Sequence, residues 1–277
     1  MATTVTKETV FSMKDFNFAS YSIRDADWRE QYGIVLFAEA KRDFWIYING
    51  SWLMSPIKYH SPFIRWLDKD RILIVQRRND MNDDNVYILN SSGTILNSFN
   101  AGDAIEGVDV GHEGIWISYY YEGFDGELPN ERLVLFDLNG KPIFRYNSDL
   151  QDKPTIFEGL ALAKGKGSAI WIVPLDKPLM QVNPESKKAT VYEEPKALNG
   201  GTFAISIRGN FVYFIHEEDG KAFSCEIGHE TPQLIGKIEG VSRGLGPRES
   251  NHFISFSRKE EEVKLYRIHN DREYFEG

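Results

Sequence analysis

The stretch Gly33-Ile34-Val35-Leu36-Phe37 decides the fold, because it does not stand alone. Equivalent pentapeptides are RILIV from Arg71, GIWIS from Gly114, AIWIV from Ala169, NFVYF from Asn210 and HFISF from His252. Their second residues, Ile34, Ile72, Ile115, Ile170, Phe211 and Phe253, lie 38, 43, 55, 41 and 42 residues apart. A second apolar series follows the first: FWIYI from Phe44, NVYIL from Asn85, LVLFD from Leu133, PLMQV from Pro178, AFSCE from Ala222 and KLYRI from Lys264. Its spacings are 41, 48, 45, 44 and 42. Short runs of β-branched and aromatic residues, closed by Gly, Asn, Asp or Pro, are the pattern of antiparallel strands. Helical spacing over ten or more residues is nearly absent. Two series that keep one period of about 40–50 residues match the four-stranded blade of a β-propeller.

The remaining strands follow from position. FNFASYSI, SPFIRWL, IEGVDV, EGLALA and TFAISI precede the first series and are expected to be inner strands. SWLMSPI, TILNSF, PIFRYN, ATVYEE and QLIGKI follow the second series and are expected to be outer strands. Asn139-Gly140 and Asn90-Ser91-Ser92-Gly93 sit where strand pairs must reverse, and Asn-Gly is a strong hairpin signal. Blade one then runs from about Phe16 to Tyr59, two to Asn100, three to Asn147, four to Pro195 and five to Gly240. The sixth, from Val241 to near Glu273, lacks one strand. The segment Thr9 to Met13 is expected to supply it, because an open ring leaves two unpaired sheet edges. A five-bladed ring with irregular ends is the competing count. One domain spanning residues 1–277 is expected.

Composition narrows the classes. The chain has 277 residues and a formal charge of −9, which argues against a general nucleic-acid binder. The single Cys excludes an internal disulfide framework. No apolar run approaches the roughly 18–20 residues that cross a bilayer, and the start lacks the apolar core of a signal peptide. A cytoplasmic monomer without a cofactor is the expectation.

In the third blade, GDAIEG from Gly102, GIWISY from Gly114, EGFDG from Glu122 and LVLFDLNG from Leu133 form a recognisable run. It resembles uncharacterised bacterial β-propeller proteins, which carry a similar GD-IE…G-IWVSY…EG…LV-FD-NG blade. The resemblance covers one blade of six. It implies a propeller fold and a bacterial source, and it brings no activity with it. The Gly-His and Trp-Asp pattern of WD40 blades is missing, and the repeat is not kelch.

Three features could carry chemistry. The long link Tyr119–Arg132, between the second and third strands of blade three, holds Tyr119, Tyr120, Tyr121, Phe124 and the carboxylates Glu122, Asp125, Glu127 and Glu131. Such aromatics offer rigid contact area, and the carboxylates attract a basic partner. The plainer reading packs alternate tyrosines inside the blade. Second, Glu106 and Glu158 each precede a Gly at the start of an inner strand, so they are expected at equivalent positions near a common channel mouth. Paired carboxylates can serve as acid and base, with Arg243 or Arg248 holding an anion; simple hydrogen bonding to a neighbouring turn is the alternative. Third, Asp80-Met81-Asn82-Asp83-Asp84 has the D-x-N-x-D start of a calcium loop. Its later positions, Asn85 and Ser91, do not fit, so a polar turn is expected.

The six histidines show no metal-binding spacing, and Cys225 reads as a buried strand thiol. Gly165-Lys166-Gly167-Ser168 ends like a phosphate loop but lacks the upstream Gly, so it reads as a hairpin turn. The function expected is a non-catalytic, protein-binding propeller for a basic partner, such as an immunity-type inhibitor of a nuclease toxin. The alternative is a pore-centred hydrolase or lyase acting on a small molecule or glycan.

Overall fold

The first-series pentapeptides become the most deeply buried strands, since both faces of each are covered by neighbouring blades. In the computed structural model, which describes residues 3–16, 21–58, 61–79, 83–120, 126–175, 178–193, 195–198, 201–216, 218–257 and 261–270, the chain opens with β1 (Thr4–Ser12). Blade one is β2 (Ser22–Arg29), β3 (Gly33–Ala40), β4 (Asp43–Ile48) and β5 (Ser51–Met54). Blade two is β6 (Pro62–Trp66), β7 (Arg71–Gln76), β8 (Val86–Asn90) and β9 (Ile95–Phe99). Blade three is β10 (Ile105–Gly111), β11 (Gly114–Tyr119), β12 (Leu133–Phe136) and β13 (Pro142–Arg145). One-turn helices α1 (Glu127–Asn130) and α2 (Tyr146–Asp149) flank the last two of these strands. Blade four is β14 (Gly159–Lys164), β15 (Ile170–Pro174), β16 (Leu179–Asn183) and β17 (Lys188–Tyr192). Blade five is β18 (Thr202–Arg208), β19 (Phe211–His216), β20 (Lys221–Glu226) and β21 (Gln233–Lys237). Blade six begins with β22 (Val241–Gly244), β23 (His252–Ser257) and β24 (Glu262–His269).

Six four-stranded antiparallel sheets result, and the count of six is the one observed. The last sheet has the order β1-β24-β23-β22, so the N-terminal strand is its outer strand. That strand is longer than Thr9–Met13: Thr4 already pairs with His269, and Ser12 with Glu262.

The core is divided among the gaps between blades. Val35, Phe37 and Ile46 of blade one meet Ile64, Ile72 and Leu89 of blade two. Trp116 and Phe144 of blade three meet Ile170 and Met180 of blade four. In the gap that closes the ring, Phe11 and Met13 join Ile254 and Leu265 of blade six against Ile23 and Leu36 of blade one. The latch therefore seals a hydrophobic gap as well as a sheet edge.

The inner strand of blade one differs from expectation. It begins at Ser22 and runs to Arg29, taking in Asp25 and Asp27. An Asp-x-Asp pair reads as turn chemistry in sequence. Here both carboxylates accept backbone N–H groups of the next blade, which holds the strand straight: Ile64 N donates to Asp25 and Trp66 N to Asp27, each at 2.8 Å.

The central channel and its two ends

Each inner strand runs the same way along the ring axis. Its start defines an upper end and its finish a lower end. The channel between them is filled by charge. Asp27, Arg65, Asp109 and Arg243 occupy one register level, paired with Val35, Leu73, Trp116 and Ile254 respectively. Blades four and five place Ala163 and Ile207 at that level. Asp25 and Arg29 complete three carboxylates and three guanidinium groups, and all but Arg243 are buried at the residue level.

Their bonds link the blades. Arg243 Nη2 donates to Asp27 Oδ1 at 2.6 Å and to Ala26 O at 2.9 Å, joining blade six to blade one. Arg65 Nη1 donates to Asp25 and its Nε to Val108 O at 3.0 Å, joining blades one, two and three. Burial alone would raise the Asp27 carboxyl, but Arg29, Arg243 and Arg65 together hold it down at about 2. Burial pushes Asp109 up, because the arginines offset only part of its lost hydration. The six charges balance in number, so the channel carries no net charge at its centre, while Arg29 is held by the nearby Asp27 charge and not by a hydrogen bond.

At the upper end, Glu106 and Glu158 are not equivalent. Ile105 pairs with Tyr119 as Gly159 pairs with Pro174, so Glu106 matches Leu160, and Glu158 matches Ala104. The shared Glu-Gly dipeptide misleads; the ladder with the second strand sets the register. Glu106 is the extra residue of a β-bulge, and the same bulge recurs at Arg24, Leu160 and Phe203. Glu106 pairs with Arg77 at 2.5 Å and shares a cavity of about 330 Å³ with Arg78 and Tyr120. Glu158 is buried and does not line that cavity. Arg243 is committed to Asp27, and Arg248 lies exposed at the lower end. The four candidate catalytic residues therefore do not share a cavity among the described residues.

The long link of blade three separates its tyrosines. Tyr119 is fully buried, and its hydroxyl donates to Ala101 O at 2.6 Å, so it does not belong to a recognition surface. Tyr120 is half-buried and faces the Arg77–Glu106 cavity. Glu127 opens α1, with its side chain 75% exposed and 2.8 Å from Arg145. Glu131 turns inward and accepts from the N–H and hydroxyl of Ser148. Tyr121, Glu122, Phe124 and Asp125 lie outside the described residues, as do Asp80, Met81 and Asn82 of the acidic turn. Among the described residues no group of His, Cys, Asp or Glu is placed to hold a metal ion. Cys225 is buried in β20.

At the lower end, His252 sits beside Trp28, with ring centroids 6.3 Å apart. Burial, then Arg267 and Arg208, lower its pKa from 6.5 to about 4. The fold thus prefers the neutral imidazole. Stability from this group is present above pH 6.5 and declines as pH falls toward 4. NMR titration of the His252 ring is expected to give a midpoint near 4, and His252→Asn to remove that part of the acid sensitivity.

No protein-family model matches the sequence, and no curated protein matches it. Solved structures do. A catalytically inactive virginiamycin B lyase from Staphylococcus aureus with quinupristin is 11% identical, covering 96% of this chain and 99% of that one, with a TM-score of 0.59. YCF48 bound to a peptide is 12% identical over 92% of this chain and 80% of that one, with a TM-score of 0.57. A nidogen/laminin complex gives 12%, 77%, 80% and 0.52 in the same order. At these identities the likeness shows the propeller fold alone. No helix among the described residues is long and apolar enough to cross a membrane.

Proposed function

We propose that the protein is a non-catalytic binding module that holds a basic protein partner on its upper end. The observation that carries this reading is the pair Phe157 and Leu175, 50% and 45% exposed. They are held at neighbouring positions because Leu175 N donates to Glu158 O at 3.0 Å. Two large apolar side chains exposed at the same end of blade four suit a partner's pocket. Tyr120 and Glu127 stand on the adjoining blade, and Tyr121, Glu122, Phe124 and Asp125 continue the same link in sequence.

The acid excess of −9 favours a cationic partner and speeds its encounter. The YCF48 and nidogen structures show the same fold with a peptide or protein partner. An inhibitor of a basic nuclease is the narrowest form of this reading, and it rests on charge alone. The single cysteine is buried, which suits a reducing, cytoplasmic setting. The pore-centred hydrolase or lyase is disfavoured by the self-neutralised channel and by the scattering of Glu106, Glu158, Arg243 and Arg248.

Affinity capture from the source cell, read by mass spectrometry, tests the proposal. A basic protein should be recovered, and Phe157→Ala should weaken its binding by roughly 30-fold, in the range of a buried aromatic anchor. Arg248→Ala, at the other end, should leave it unchanged. Recovery of acidic proteins only, or retention indifferent to Phe157→Ala and Leu175→Asp, would overturn it.

A further inference from the structure

The lower end contains a cavity of about 710 Å³ that the partner-binding reading does not use. Hairpins of five blades converge on it, and the segment 245–251 between β22 and β23 crosses it. Its charge is opposite to that of the chain. Arg29, Lys166, Arg208 and Arg248 line it, against two carboxylates, Glu30 and Glu249. Lys166 belongs to the Gly165-Lys166-Gly167-Ser168 turn, whose sequence ends like a phosphate loop.

Arg29 supplies an independent observation. Its side chain is 6% exposed, and among the described residues neither Nη1 nor Nη2 has a hydrogen-bond partner. Asp27 stands 3.6 Å away, near enough to offset charge and too far for a good hydrogen bond. A buried guanidinium left in this state is costly, and an anionic oxygen would satisfy it with charge-assisted bonds. Gly246 lets the crossing segment pass close to Arg29. A Cβ at this position would lie 3.3 Å from Arg29 Nη1 and 2.8 Å from Asp109 Oδ1. Its φ is not positive, so the absent side chain matters for space and not for torsion. Trp28 and Tyr32 add an aromatic wall to the same cavity.

We propose that this lower cavity binds a small molecule bearing a dianionic phosphate monoester, its phosphate held between Arg29 and Arg248 beside Gly246. Arg29 keeps its donors while Asp27 offsets its charge, Lys166, Arg208 and Arg248 outnumber Glu30 and Glu249, and the aromatic wall takes the organic body. Inorganic phosphate, a phosphate without a body, should bind at the same place and more weakly.

Calorimetry at low ionic strength tests this with adenosine 5′-monophosphate, inorganic phosphate and succinate as probes. The monophosphate should bind at least tenfold more tightly than inorganic phosphate, and succinate more weakly than the monophosphate. Arg248→Ala should weaken the monophosphate at least tenfold with an unchanged melting temperature, because Arg248 is exposed. Gly246→Ala should abolish binding. The neutral His252 ring, which lines the cavity, should shift on addition of the monophosphate and not in Gly246→Ala. No binding of any probe, tighter binding of succinate, or affinity unchanged in Arg248→Ala would overturn the proposal.

Discussion

Removal of residues 1–13 is expected to abolish cooperative folding, read as the loss of the sigmoidal urea transition. The deletion exposes the whole edge of β24, which pairs with β1 from Thr4 to Ser12. It also strips Phe11 and Met13, 5% and 4% exposed, from the gap between the last and first blades. Truncating a buried Phe or Met costs about 2–5 kcal/mol each. A typical domain holds only about 5–15 kcal/mol in total. Phe11→Ala alone should therefore lower the urea midpoint while leaving a folded protein. The position of the strand in the chain should not matter. Thr4 lies opposite His269, so a short turn after the last strand could return residues 3–16 to the same edge. Such a permuted chain should regain the transition, which separates loss of the strand from damage elsewhere.

Asp27→Ala should be the most damaging single substitution in the channel, at about 3–5 kcal/mol. Asp27 is fully buried and accepts from Trp66 N, Trp28 N and Arg243 Nη2. Removing it leaves the buried Arg29 and the partly buried Arg243 with Asp25 and Asp109 as their remaining nearby carboxylates. Breaking one side of a buried ion network is costly because the other side keeps its charge, even where a wholly apolar replacement would be tolerated. Chemical unfolding at neutral pH should show a lower midpoint with an unchanged slope. The pH dependence has a defined sign. The Asp27 pKa falls from 3.8 to about 2 on folding, so its contribution is present above pH 4 and is lost as pH drops toward 2. Asp27→Asn should lack that acid phase. Asp109, raised by burial, acts the other way, its contribution being lost as pH rises through its folded pKa.

How much of this was legible in the sequence follows from what hydrophobic periodicity reports. Ile34, Ile72, Ile115, Ile170, Phe211 and Phe253 mark strands covered on both faces, so burial wrote the blade count and the closing strand into the residue pattern. Inner strands are governed differently. They approach one another around an axis, and four of them carry Asp or Arg at the level of Asp27, Arg65, Asp109 and Arg243. A charge within a strand looks like a break in the pattern until its counter-charge, more than 200 residues away for Asp27 and Arg243, is known. The two-residue offset between Glu106 and Glu158 was hidden for a related reason. Register is fixed by the ladder to the next strand and not by dipeptide likeness. The lower cavity was least visible, since Arg29, Lys166, Arg208 and Arg248 come from hairpins of four blades that only ring closure brings together.

Native-state hydrogen exchange at the amides of Ile64 and Trp66 tests the sealed channel most directly. Their N–H groups point at the Asp25 and Asp27 carboxylates in the heart of the ring. If the ions close the channel, both amides exchange only through global unfolding, at the slowest rate in the molecule, and Trp66 loses that protection selectively in Asp27→Asn. Exchange of both within minutes in the native protein would mean that solvent reaches the axis, and the case for a binding module over a pore-centred catalyst would fail.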